Sequence, residues 1–460
     1  MRSSVFTLRP SRADRYAQGK QLRKSCPRST HAAWVPQSHR PDPVQLILNA
    51  DQDRIPELVP LRHGRMAQSP FTFYRGSALN MASDLATTPN TGIHVQCCGD
   101  AHLLNFGGFA TPERNIIFSI NDLDDTLPAP WEWDIKRLAA SFVLACRDNG
   151  LSESVAREAV FTCVRSYREH MAAFSELKTL ELWYYCLESE MLISSIPDPQ
   201  FRKRAINRLT KERGRSVAED IFPKLAQASG ESCIIRDQLP EIFHLEGHQP
   251  GEIDEVVSEA FDRYKESLIP AYRTLLDRFI LRDAAIKVVG IGSVGTICWV
   301  LLFMAGEGDP FFLQVKEARS SVLEPYAGKS QFPNHGQRVV NGQRLMQPYS
   351  DPFLGWTQGR FGRHFFMRQL RDIKISIRVE TFGKPEMLIY ADWCGHALAL
   401  SHARSGDPAL ISGYLGKSDA FDNALAVFSV AYADQTEKDH AALQKSIKDG
   451  KVEATFEEKK

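Results

Sequence analysis

Apolar residues change their spacing along this chain, and the changes divide it into parts. From Ala78 to Leu85, and again from Trp131 to Arg147, they recur at helical intervals, with Trp133, Leu138, Phe142 and Ala145 on one face of the second run. Two short alternating stretches interrupt this pattern. His94 to Cys98 closes on the Gly99-Asp100 turn and Asn115 to Ile120 follows it, so each predicts a strand. Residues 151–280 return to helical spacing, and the charged stretch Arg202 to Arg215 predicts a solvated face rather than a nucleic-acid patch. At about Ile286 the period becomes that of strands. Ile286 to Val289, Ile297 to Phe303 and Phe311 to Val315 are separated by glycine turns, which predicts an antiparallel meander. A helix over 334–348, strands at Phe353 to Trp356 and His364 to Leu370, and a helix from Tyr390 to Ala403 complete the reading.

The pattern predicts an α+β protein in five parts. Residues 1–60 form an N-terminal arm, which Pro27, Pro36, Pro41 and Pro43 keep extended. Residues 61–283 form a mainly helical lobe, 284–374 an antiparallel sheet, 375–440 further helices, and 441–460 a charged tail that forms a surface helix or frays.

Composition narrows the function classes. With 43% hydrophobic and 24% charged residues in 460, the chain has the makeup of a globular protein with a large core. Lys plus Arg and Asp plus Glu both number 56, so no global field draws it to nucleic acid or an anionic membrane. No apolar run reaches the roughly 18 residues of a membrane span. Nine cysteines, odd in number and without a Cys-x-x-Cys pair, argue against a disulfide framework or zinc ribbon and for a reducing, cytoplasmic setting. The Arg- and Ser-rich, acid-poor first 40 residues could alternatively be an organelle transit peptide, but the prolines spoil its amphipathic helix.

Three motifs carry candidate chemistry. In Cys98-Gly99-Asp100-Ala101-His102-Leu103-Leu104-Asn105 an Asp is followed five positions later by an Asn, the spacing of a kinase catalytic loop. There the Asp accepts the substrate hydroxyl proton and the Asn offers a hard oxygen to magnesium. Read alone, Asp100 and Asn105 could equally cap turns. Ile120-Asn121-Asp122-Leu123-Asp124-Asp125 follows, a strand ending in an acidic cluster. Asp122, with Asp124, is the candidate second magnesium site, because crowded carboxylates favour a bound cation. The bland alternative is an exposed acidic turn. Gly290-Ile291-Gly292-Ser293-Val294-Gly295 is a complete G-x-G-x-x-G between two predicted strands, which suits a phosphate-covering hairpin better than a dinucleotide fold. Gly290, Gly292, Ser293 and Gly295 are its candidate ligands. The third strand ends at Lys316, where a kinase places its phosphate-binding lysine. Its glutamate partner is the weak point: Glu317 points to the other face, Glu324 is the better candidate, and the helix at 334–348 offers Asn341 and Gln343 but no acid.

These residues, together with Ser69-Pro70-Phe71-Thr72-Phe73-Tyr74-Arg75-Gly76, Trp131-Glu132-Trp133-Asp134 and Ser401-His402-Ala403-Arg404, resemble the bacterial family termed domain of unknown function 2252, from about Asp14 to His440. More distantly, Cys98 to Asn105 resembles the H-G-D-x-H-x-x-N loop of aminoglycoside and choline phosphotransferases, with Cys98 in place of the first His. That likeness implies a protein-kinase-like two-lobed fold in which Asp134 braces the loop and the helix ending at His402 leads into it. Here that helix lies far after the loop, so the fold is expected to be circularly permuted. The resemblance implies an ATP- and Mg2+-dependent phosphotransferase with Asp100, His102 and Lys316 as catalytic residues, Asn105, Asp122 and Asp124 as metal ligands, and an unidentified small-molecule acceptor. Two alternatives are a catalytically inactive nucleotide-binding regulator and a metal-dependent hydrolase built on His94, Asp100, His102 and Asp122.

Overall fold

Helix Glu132–Asp148 shows most directly how the sequence builds its helical body. Every residue from Glu132 to Cys146 is buried, because helices Glu153–Glu176, Lys384–Ser405 and Ala420–Lys448 pack around it. Trp131, Leu138, Phe142, Tyr167, Tyr390 and Phe428 share one apolar cluster there, each large side chain contributing about 2 kcal/mol on burial. Two of these helices touch nearly backbone to backbone: a Cβ on Gly395 would lie 2.2 Å from the Cys163 carbonyl oxygen. The computed structural model describes residues 10–214, 216–229, 232–244, 255–288, 290–370, 373–375 and 377–457.

The chain is α+β. Its largest sheet has six antiparallel strands in the order Gly355–Gln358, His364–Gln369, Pro310–Glu317, Cys298–Met304, Ile280–Lys287 and Ile242–Phe243. Lys316 sits opposite Cys298 on one side and Phe366 on the other. Helix His335–Met346 enters between the strand that carries Lys316 and the next one, packing Val339 and Val340 on Leu354 and Phe366. Two smaller ladders frame the first motifs: His94–Cys97 pairs with Leu127–Pro130, and Phe106–Ala110 pairs with Ile116–Ile120 and Lys374–Ile375.

Two sequence expectations differ from the structure. The arm is not extended. It holds helices Arg12–Leu22 and Pro43–Asp51, because Pro43 takes the first helical position, where no amide hydrogen is needed, and Asp42 caps it. The sheet unit begins before residue 284: strands Ala226–Ser229 and Ser232–Ile235 and helices Glu255–Ser267 and Pro270–Leu276 all join it. Ala226, Ile235 and Ile242 pack against Val300 and Phe312, and Tyr264, Leu268 and Leu276 against Leu301 and Phe311, a long-range burial that local spacing does not reveal. Of the two forms expected for the tail, the helix is the one present at 441. Its helix runs to Lys448 with Leu443 buried, and Thr455 N then donates to the Pro60 carbonyl at 2.8 Å. Arg215 and Val289, at the ends of predicted stretches, and Arg371 and Asp372, within the predicted sheet, lie outside the described residues.

Candidate functional site

The loop between strands His94–Cys97 and Phe106–Ala110 is held by one carboxylate. Asp134, in the first turn of helix Glu132–Asp148, accepts from Cys98 N at 2.5 Å and from Gly99 N at 3.1 Å. His402 Nε2 lies 3.2 Å from Asp134, and its Nδ1 lies 2.9 Å from the Tyr167 hydroxyl. Gly99 has φ +85°, and a Cβ there would stand 2.5 Å from the Asp125 carbonyl oxygen, so the turn needs glycine. Cys97, Asp134 and His402 are the one cation-spaced group among the described residues. Their atoms are already engaged as a hydrogen-bonded brace, with Cys97 Sγ donating to the carbonyls of Ala129 and Pro130 and its thiol pushed well up by burial.

Asp100 leaves this braced loop with its side chain 22% exposed. Arg137 Nε and Nη2 donate to Asp100 Oδ1 at 2.8 and 2.5 Å. Burial still outweighs Arg137 and leaves the Asp100 carboxyl above the ordinary carboxylate range. Arg137 stands one turn after Asp134 on the same helix face, a spacing visible in Asp134-Ile135-Lys136-Arg137 but unread in the sequence. Asn105 Nδ2 donates to the Asp100 carbonyl at 2.7 Å, leaving Oδ1 as its remaining acceptor. His102 is buried, its Nδ1 is without a partner, and its Nε2 is 3.9 Å from Asp100. Burial, with Arg75 and Arg137 nearby, holds its imidazole well below its usual range, so it stays neutral at physiological pH and is a poor proton carrier.

Across the cleft Lys316 is buried on its strand and reaches the second motif. Its Nζ is 3.8 Å from Asp122 Oδ2 and forms a closer ion pair with Asp124. Burial would raise Asp122, but Lys316 pulls it below the carboxylate range. Burial and the Asp122 charge push Asp124 up to about 7, and both aspartates lift Lys316 against the effect of its own burial. Asp124 Oδ1 is buried with no hydrogen-bond partner. Two crowded carboxylates, one of them with an orphaned oxygen, offer hard-oxygen donors of the kind that suits a divalent cation. Asn121 N donates to the Asn105 carbonyl at 2.7 Å, which ties the two motifs together.

Lys316, Asp122, Gly290, Ser293, Gln343 and Arg368 line one cleft of about 1040 Å³. Gly290 has φ +66° and Gly295 +83°, and nothing lies within 4 Å of where a Cβ on Gly290 would be, so backbone amides there are open to close approach. The hairpin is fixed from outside by residues the sequence reading missed. Arg54 Nη1 donates to Val294 O at 2.6 Å, Arg65 Nη1 to Gly290 O at 2.9 Å, and Ile55 N to Gly295 O at 2.8 Å.

Two predicted members do not join. Glu324 opens the short helix Glu324–Ala327 and lies 3.6 Å from His335, while the ion pairs of Lys316 go to Asp122 and Asp124. On helix His335–Met346 the side chain facing the cleft is Gln343, buried with Nε2 unpartnered. His94 is exposed on its strand and His102 buried, and no metal-spaced group of the described residues contains His94, Asp100, His102 or Asp122. Arg338 couples the sheet to the acidic turn instead: buried, it donates to Thr126 O at 2.6 Å and to Asp124 O and Arg319 O at 2.8 Å.

These features define an α+β protein with an acidic pair, a lysine and a glycine hairpin facing one cleft. Residues 54–446 match the family described as an uncharacterized protein conserved in bacteria (DUF2252), and the chain belongs to that family. No curated protein and no solved structure matches it. Among the described residues no helix is long and apolar enough to cross a membrane.

Proposed function

We propose that this protein is an ATP- and magnesium-dependent phosphotransferase that moves a phosphoryl group onto a hydroxyl of a small-molecule acceptor, on a circularly permuted, two-lobed protein-kinase-like fold. The observation that carries the reading is the meeting of Lys316 with Asp122 and Asp124 in the cleft that the glycine hairpin lines. The order of parts supports it: hairpin, lysine strand, then a helix before the next strand, with helix Lys384–Ser405 ending against the braced loop.

Bound Mg-ATP would supply the phosphoryl donor and the charge that masks it. Asp122, Asp124 and Asn105 would hold the cation, and Gly290, Gly292, Ser293, Gly295 and Lys316 the phosphates. Asp100, oriented by Arg137, accepts the acceptor proton. Burial raises its carboxyl above the ordinary carboxylate range, which makes it a better base than an exposed aspartate. Asp134 and His402 keep the loop in place and touch no reactant.

The test is Mg-ATP binding by calorimetry, followed by phosphoryl transfer across pooled metabolites with Asp122→Asn as control. An absence of magnesium-dependent nucleotide binding would sink the proposal. A second reading, a nucleotide-binding regulator without turnover, is favoured by Gln343 standing where kinases place an acid. Binding without transfer to any pool would select it.

A further inference from the structure

The segment Ser69 to Gly76 stands between the two halves of the site. Helix Pro70–Gly76 starts from a Ser69 capping box and buries Phe71, Phe73 and Tyr74. On one side it touches the machinery of Asp100: the Tyr74 hydroxyl donates to the Arg137 carbonyl at 2.7 Å, and Arg137 Nη2 donates to the Tyr74 carbonyl at 2.9 Å. The same guanidinium that holds Asp100 lies 4.4 Å above the Tyr74 ring. On the other side the segment meets the hairpin. A Cβ on Gly292 would lie 3.4 Å from the Arg75 carbonyl oxygen, and Phe73 shares a cluster with Ile291. Arg62 Nη2 fixes its end by donating to Gly76 O at 2.7 Å.

Arg75 is therefore bracketed by the glycine hairpin and the catalytic loop, and its side chain is unusual among the inward-facing arginines. Arg62 pairs with Asp51, Arg137 with Asp100, Arg168 with Asp422, and Arg338 with three carbonyls. The Arg75 Nε is buried without a hydrogen-bond partner, and among the described residues its guanidinium forms no ion pair. Asp100, the carboxylate whose charge it feels, is already held by Arg137. Arg75 is half-buried, and an enclosed Nε–H without an acceptor is unfavourable, so the position is explained by an anion that arrives with a ligand.

We infer that Arg75 is a catalytic arginine supplied in cis by the N-terminal segment, receiving the charge of the phosphoryl group in transit between the hairpin and Asp100. This rests on the phosphotransferase reading. Arg75 itself makes and breaks no bond. As the acceptor oxygen gives its proton to Asp100 and bonds to phosphorus, the bond to the bridging oxygen breaks with its electron pair leaving on ADP, and the guanidinium offsets charge on the oxygens between them.

The experiment compares binding of Mg-ADP with binding of Mg-ADP plus aluminium fluoride, a planar mimic of the phosphoryl group, in wild type, Arg75→Gln and Arg75→Lys. Calorimetry gives the affinities, and thermal unfolding checks that each variant folds; Arg75→Lys keeps the charge should Arg75→Gln be unfolded. The expected result is that fluoride tightens wild-type binding by about tenfold or more, and that Arg75→Gln loses this gain while keeping Mg-ADP affinity within about twofold. Arg75→Lys should keep only part of the gain, because a point charge lacks the fork. Variants that retain the full gain, or that lose Mg-ADP affinity to the same degree, would overturn the role of Arg75. Wild-type binding of Mg-ADP with no gain from fluoride would overturn it too, with the nucleotide-binding reading still standing. No Mg-ADP binding by wild type would overturn both.

Discussion

The two sides of the cleft are held in opposite ways. On the helical side the reactive loop is fixed before any ligand arrives: two of its amides bond to Asp134, Asp134 meets His402, His402 meets Tyr167, and Arg137 grips Asp100. On the sheet side Lys316 neutralises the acidic turn, an unpartnered oxygen remains on Asp124, and the hairpin is steadied by arginines outside it. One side spends its polar groups on its own structure, whereas the other pairs its charges among themselves and keeps an unpartnered oxygen for a ligand. Preorganised groups suit a proton acceptor that must not move, and an internally compensated cluster suits a site that exchanges its counter-ion at every turnover.

The largest effect should come from the sheet side and fall on binding. Asp122→Asn removes the carboxylate nearest the cleft, and magnesium-dependent ATP affinity and turnover should each drop by on the order of a hundredfold or more. Its unliganded stability should change by only about 1 kcal/mol, since Asp124 still pairs with Lys316. Calorimetry and denaturant midpoints read the two quantities separately, and a variant that binds like wild type ends the assignment. The helical side should respond the other way round. Asp134→Ala strands two buried amides and His402, so we expect a loss of about 3 kcal/mol in denaturant unfolding, whether or not nucleotide is present. A loss that nucleotide fully restores would mean that the brace belongs to the binding site.

Asp100→Asn tests where the boundary between the two behaviours falls. It should lower turnover by about two orders of magnitude while leaving ATP affinity within about twofold, because the proposed phosphotransferase reading assigns this carboxylate to the acceptor and not to the phosphates. Equal losses in affinity and turnover would place Asp100 with the metal ligands instead.

How much of this could be read in the sequence follows the same division. Local motifs were legible. Asp100, Asn105 and Asp122 stand out by spacing within one stretch, the meander by its β-branched runs, and Lys316 by its place at a strand end. Partners distant in sequence were not. Arg137 could have been found from its position one turn after Asp134, but Arg54 and Arg65 on the hairpin and Arg338 under the acidic turn depend on helices arriving from far along the chain. Residues 217–276 misled for a related reason. Helix Glu255–Ser267 has an ordinary amphipathic period, and nothing in that period says that its apolar face will meet Leu301 and Phe311 instead of the helical body. Glu324 was chosen for its charge near Lys316 in sequence, yet its helix directs it to His335.

The smallest predicted effect separates the two sides by pH. Asp124, raised to about 7, binds its proton more tightly folded than unfolded, so its contribution to stability is fully present below the usual aspartate range and is lost as pH rises through about 7. The helical body carries the opposite sign. Burial lowers His396, stacked 3.4 Å from His170, to about 3, and lowers His31, bonded to the Tyr414 hydroxyl, to about 3 as well. Between about pH 3 and 6.5 the unfolded chain binds protons that these histidines refuse when folded, so their contribution is lost as pH falls below 6.5. In the window from pH 6.5 to 5 the terms oppose, but two histidines stand against one aspartate, so wild-type stability should still fall on acidification, by at most about 1.4 kcal/mol per pH unit from these groups. Asp124→Asn removes one term and should make acid destabilisation steeper; His396→Phe removes part of the other and should make it shallower. Each slope changes by at most about 1.4 kcal/mol per pH unit, the limit for a single proton. Urea midpoints from pH 7.5 to 5 read these slopes directly, and parallel curves for Asp124→Asn and wild type would mean that the acidic turn does not hold the shared charge that its geometry describes.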